Sequence, residues 1–187
     1  MSDRKILRSL PKETLIKLLE DQAKNWLAHD GLWFQAVEKY DGIEKAIQLD
    51  TEAWIRFTQI EAKRIMKRFD IQPGGGIPAL KQALQFRLYA RINVQSLIEI
   101  DQNTLRFEMN DCRVQSARKR KGLDDFPCKS VGIAEYAYFA HTIDDRIQTR
   151  VVCCPPDSHP EEYYCAWQFS LEEEPIPIED LLNTIER

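Results

Sequence analysis

The sequence predicts an α+β fold: a helical N-terminal half followed by an antiparallel sheet of two hairpins with an intervening helix. Three observations predict it. Apolar residues recur at three- and four-residue spacing through the first half of the chain. From Val94 the period shortens to two, with Leu105, Phe107 and Met109 alternating with Arg106, Glu108 and Asn110. Turn-forming clusters, Asp101-Gln102-Asn103 and Pro155-Pro156-Asp157, separate the strand-like runs. At 187 residues and 43% hydrophobic, the chain reads as one domain, 1–187, that buries a core without disulfide staples. Its helical lobe covers 1–93 and a cysteine-containing α+β lobe covers 94–187.

Residues 12–28 read as an amphipathic helix on Leu15, Leu18, Leu19, Ala23, Trp26 and Leu27. His29-Asp30-Gly31 either ends it or lets it run on through Trp33 and Val37 to a stop at Asp41-Gly42. A second helix is expected over 51–69, with Asp50 as N-cap and Trp54, Phe57, Ile65, Met66 and Phe69 on the buried arc. Glu61 falls inside that arc, so it needs a partner such as Arg64 or Arg91, or it stays protonated. Pro73-Gly74-Gly75-Gly76 is a turn and not a phosphate loop, since no Gly-Lys-Ser/Thr follows. Pro78 opens a third helix lined by Leu80, Leu84 and Leu88, with Arg87 and Arg91 four apart. A hairpin follows over Val94–Ile100 and Thr104–Asn110, then a short helix from Val114 ending at Gly122. Lys129–His141 is a helix with Cys128 at its start, Ile147–Cys153 and Tyr163–Ser170 form the second hairpin, and 178–186 closes as a small helix.

Charge and composition exclude several classes of function. The 26 basic against 30 acidic residues give a net charge of −4, which argues against a nucleic-acid or anionic-membrane binder. The run Arg118-Lys119-Arg120-Lys121 is then a solvated helix end. No apolar stretch approaches a membrane span and no signal-peptide core follows the N-terminus, so a cytoplasmic protein is expected.

All five cysteines lie between Cys112 and Cys165, and in a reducing compartment they are expected to be free thiols or metal ligands. Cys112, Cys128, Cys154 and Cys165 each sit at the end of a predicted element and can supply four soft ligands to a zinc ion. Burial as small apolar side chains is the other outcome. Cys153 adjoins Cys154 on the opposite face of a strand and falls outside the set. Cys128 at a helix start is also a candidate nucleophile, with His141 or His159 as base. Trp54, Glu61, Arg64 and Arg91 are candidates for an apolar ligand pocket with polar handles.

The strings Cys112-Arg113-Val114-Gln115, Phe126-Pro127-Cys128-Lys129, Cys154-Pro155-Pro156-Asp157 and Tyr164-Cys165-Ala166-Trp167 carry a resemblance. The last 80 or so residues resemble the 4-vinyl reductase type of small-molecule-binding domain. The whole chain resembles a family of small bacterial and archaeal cytosolic proteins that is itself similar to 2-aminothiazoline-4-carboxylate hydrolases. The resemblance implies the four-cysteine set and a small-molecule ligand, and makes a homodimer plausible. It carries over no catalytic residue. Two functions are expected from it: a small-molecule-binding or sensing protein with a cysteine-based zinc site, or a metal- or thiol-dependent hydrolase of a small cyclic C–N substrate. Four thiolates close the zinc shell and favour the first; an open position favours the second.

Overall fold

The structure, a computed structural model, describes residues 4–183 and Ile185. After a short helix α1 (Lys5–Ser9) the chain forms two long antiparallel helices, α2 (Lys12–Asp41) and α3 (Ile43–Phe69). The helix thus continues through His29-Asp30-Gly31 and stops where Asp41-Gly42 predicts. Gly42 takes φ 86, a conformation that favours glycine. Its N–H donates to Glu38 O at 3.0 Å to finish α2, and its carbonyl accepts from Ala46 N–H at 3.1 Å to begin α3. The second helix therefore starts eight residues before the expected 51, and Asp50 stands inside it and not at its N-cap. Asp70, at φ 54, ends α3.

Helix α4 (Gly76–Leu84) is short, and Leu88–Arg91 forms a separate 3-10 turn, so Arg87 and Arg91 do not share a helix. The strands β1 (Val94–Asp101) and β2 (Thr104–Asp111) pair as the predicted hairpin. Helices α5 (Arg113–Arg120) and α6 (Lys129–Ile143) follow, then β3 (Ile147–Cys153) and β4 (Cys165–Leu171). The sheet is antiparallel throughout, in the order β1-β2-β4-β3. One face carries Leu105, Phe107, Met109, Cys165, Trp167 and Phe169, all buried, and packs against α6 and α4. The same core takes Ala62, Ile65 and Met66 from α3, so both halves of the chain contribute to it. The closing helix expected over 178–186 is a series of turns through residue 183, and residues 184 and 186 lie outside those described. No described helix is long and apolar enough to cross a membrane.

Two polar ties fix the layers. Thr58 on α3 donates to the Glu135 carbonyl on α6 at 3.0 Å. The buried Asp144 carboxylate, just past α6, accepts from Gly76 N–H at 2.9 Å and from the Arg146 guanidinium at 2.8 and 3.0 Å.

Candidate functional site

A chamber of about 240 Å³ opens between the α2–α3 pair, α5, the first half of α6 and the cysteine-bearing end of the sheet. Trp54, Tyr89, Tyr136 and Trp167 supply aromatic wall, and Phe34 and Phe126 meet edge to face at 5.1 Å. Gly31 of α2 also faces it, with nothing within 4 Å of where a side chain would begin.

Local sequence explains why the cysteines come to this wall. The side chain of Gln115, buried on α5, donates to Phe126 O at 2.9 Å and accepts from Phe126 N–H at 2.8 Å. That clamps the loop before Cys128. On the other side, Lys129 N–H donates to Pro155 O at 3.0 Å and Lys129 Nζ meets the Asp157 carboxylate at 2.8 Å. The Pro155-Pro156-Asp157 turn is thereby pinned to the start of α6, and Cys154 Sγ lies 3.7 Å from Cys128 Sγ. Cys165 lies beside Cys154, and Cys112, as N-cap of α5, lies near Cys128 and Cys165. All four line the chamber, and Cys153 does not. The hydrogen bond with Cys154 draws the Cys128 thiol below its ordinary pKa, while Cys128 and Cys165 push Cys154 up. Burial pushes Cys112 up to about 12. Among the described residues, no three His, Cys, Asp or Glu side chains stand together as a group able to hold a metal ion. All five cysteines are free thiols.

The other predicted residues separate. Trp54 lines the chamber. Glu61 is an ion-pair residue, but its partner is Arg87 and not Arg64 or Arg91. Arg87 Nε reaches Glu61 Oε2 at 2.9 Å, and Leu88 N–H donates to Glu61 Oε1 at 2.8 Å. Arg64 is exposed on α3, and Arg91 is exposed with its guanidinium on the Gln85 carbonyl. Neither histidine serves Cys128. His141 bonds to the Ile176 carbonyl at 2.8 Å, and His159 pairs with Asp125 at 3.0 Å. Arg118 lines the chamber, while Lys119, Arg120 and Lys121 are exposed.

The chamber is also lined by four carboxylates, Asp30, Glu38, Asp50 and Glu135, that the spacing of the sequence did not mark. Glu135 of α6 is 7% exposed, and its Oε1 lies 2.7 Å from Arg87 Nη1. Burial raises it to about 6 despite that neighbour. Burial, with Asp30 and Glu135 nearby, raises Asp50 to about 7, against a smaller opposing effect of the Trp54 side chain. Burial raises Asp30 as well. Burial works against the charge on Arg87, but Glu61 and Glu135 outweigh it and its pKa is raised. The one available signal was Glu135 itself, an acid amid Val131, Ala134, Tyr136 and Ala137 in an otherwise apolar helix.

The model of the family of unknown function DUF6125 matches residues 8–171. No curated protein matches the sequence. The fold is similar to the phenol-responsive sensory domain of the transcription activator PoxR, solved with phenol. That likeness has a TM-score of 0.52 at 16% identity, over 82% of this chain and 76% of the other.

Proposed function

We propose, for a chain that belongs to the DUF6125 family, that the chamber binds a small organic molecule and that Cys112, Cys128, Cys154 and Cys165 hold a structural zinc ion beside it. The observation that carries the ligand reading is the chamber itself: aromatic walls with a few convergent polar groups of shifted pKa. The fold it shares with a domain whose ligand is phenol supports the same reading. The zinc reading is supported by donor chemistry and by one distance. Two thiolates on a tetrahedral zinc at about 2.3 Å stand about 3.8 Å apart, and Cys128 and Cys154 stand at 3.7 Å. Cys112 and Cys165 must draw closer to complete the shell. Such an ion would tie α5, α6 and the sheet together and add folding free energy. Four thiolates leave no open position, and Glu61 and His159 are engaged elsewhere. The engagement of Glu61 and His159 favours binding or sensing over hydrolysis, and a closed four-thiolate shell would do the same.

Gly31→Leu is the test of the chamber. The added side chain enters open space and replaces a poor helix former, so the protein should fold while losing binding of phenol and similar small aromatics, followed by tryptophan fluorescence. Retained affinity in that variant would place binding elsewhere. Elemental analysis should find about one zinc per chain, reduced in Cys128→Ser. Wild-type protein that folds without metal refutes the zinc site.

A further inference from the structure

The charges around the chamber do not balance. Arg87 is one positive charge shared by two carboxylates, Glu61 at 2.9 Å and Glu135 at 2.7 Å. One negative charge is left over before Asp50 and Asp30 are counted. Glu38 and Arg118 also line the chamber, one charge of each sign. Glu135 is more than nine-tenths buried, and its Oε1, although beside Arg87, receives no hydrogen bond along an N–H direction. It is a buried acceptor on the chamber wall with capacity to spare. Trp54, Tyr89 and Tyr136 line the same space, and Arg87 lies over the Trp54 and Tyr136 rings at 6.0 and 5.4 Å. One buried and two half-buried carboxylates beside aromatic rings are the chemistry that recognises an ammonium. A volume of about 240 Å³ limits the guest to a small one.

We infer that the chamber's ligand is a small organic cation, an amine whose ammonium sits among Asp30, Asp50 and Glu135 and whose apolar body lies against Trp54, Tyr89 and Tyr136. This deepens the reading of the chamber as a ligand site and rests on it. It also makes binding depend on pH. The groups facing the acids are Asp30, Glu38 and neighbouring His29 from α2, Glu61 and Trp54 from α3, and Arg87 and Tyr89 from the 3-10 turn and its start. Arg118 and Cys112 face them from α5 and its cap, and Tyr136 and Cys128 from α6 and its cap. Asp50 at about 7 and Glu135 at about 6 are partly protonated near neutrality. A cation binds the ionised forms, so affinity rises as pH climbs through this range, and binding below it releases protons.

The test is calorimetry on the full chain with benzylamine, benzyl alcohol and phenol. Benzylamine and benzyl alcohol match in shape and differ in charge. At pH 8 benzylamine should bind roughly tenfold or more tighter than the alcohol, the worth of one charge-assisted hydrogen bond. The preference should shrink at pH 5 and be lost in Asp50→Asn, and weaken in Asp30→Asn, with circular dichroism showing both variants folded. If the alcohol or phenol binds as well as the amine at pH 8, or if both variants keep the preference, the cation is overturned. The chamber survives in that case, provided Gly31→Leu still abolishes the neutral binding. If none of the three binds, the cation and the chamber fail together.

Discussion

Gly132 shows how tightly single residues are fixed at this site. A Cβ there would lie 2.7 Å from Trp167 Cζ2 and 3.1 Å from Cη2. Trp167 is fully buried and its indole has nowhere to retreat except the chamber. Gly132→Ala should therefore cost about 1–3 kcal/mol of stability despite improving helix propensity, read by urea unfolding. A neutral or stabilised variant would show the contact to be looser than described. Asp50 gives the second residue-scale expectation. Its carboxyl is raised to about 7 in the folded protein against an ordinary 3.8, so the folded state holds the proton more tightly. Stability from this group is complete below the unfolded value and is lost as pH rises through about 7. Glu135, raised to about 6, acts in the same direction. Asp50→Asn should be more stable than wild type at pH 8 and show a smaller fall in melting temperature between pH 5 and pH 8. Equal pH dependence in the two proteins would mean that Asp50 titrates normally.

At the scale of elements, Asp144 ties α4 to the end of α6. Burial alone would raise its pKa, but hydrogen bonds from Arg146 and Gly76 hold it below the usual carboxylate range. Asp144→Ala leaves the Gly76 N–H without an acceptor and unties α4 from the end of α6. The expected loss is roughly 1–3 kcal/mol, measured by thermal unfolding at neutral pH. In the wild type this contribution is lost as pH falls below the unfolded value near 3.8, so the gap between the two proteins should close in acid. Most elements were legible because their periods are strong. The β1–β2 hairpin, the bounds of β3 and the end of α5, at Arg120 two residues before Gly122, follow from alternation and turn chemistry. The start of α3 was not. Ile43–Asp50 is rich in charge, and an aspartate before Thr-Glu resembles a cap, but Gly42 had already reset the helix. The pairing of Glu61 with Arg87 was also out of reach. It joins residues 26 apart across a turn, and spacing within one helix cannot show it.

For the whole molecule, the sequence marked cysteines as the centre of interest, and folding does bring four of them to one wall. What it could not show is that the opposite wall comes from α2, some 80 residues earlier, carrying Asp30 and Phe34. Apolar residues of α2 are also left outside. Leu32 is 66% exposed and Trp33 68% exposed, with Leu19 and Tyr40 similarly placed. Side chains of this size in water favour association, and a homodimer through α2 is the expected state. Sedimentation should show a dimer that Trp33→Glu dissociates, and a monomer at every concentration would refute it. Of α2's 30 residues only Ala23 is buried, and the helix is held by ring contacts, Trp26 with Trp54, Phe57 and Tyr89, and Phe34 with Phe126. This helix is thus thinly held to the enclosure it completes. A guest inside adds the missing adhesive. Occupancy would be felt outside as a stiffer helix, and anything resting on its outer surface would receive the news without touching the guest.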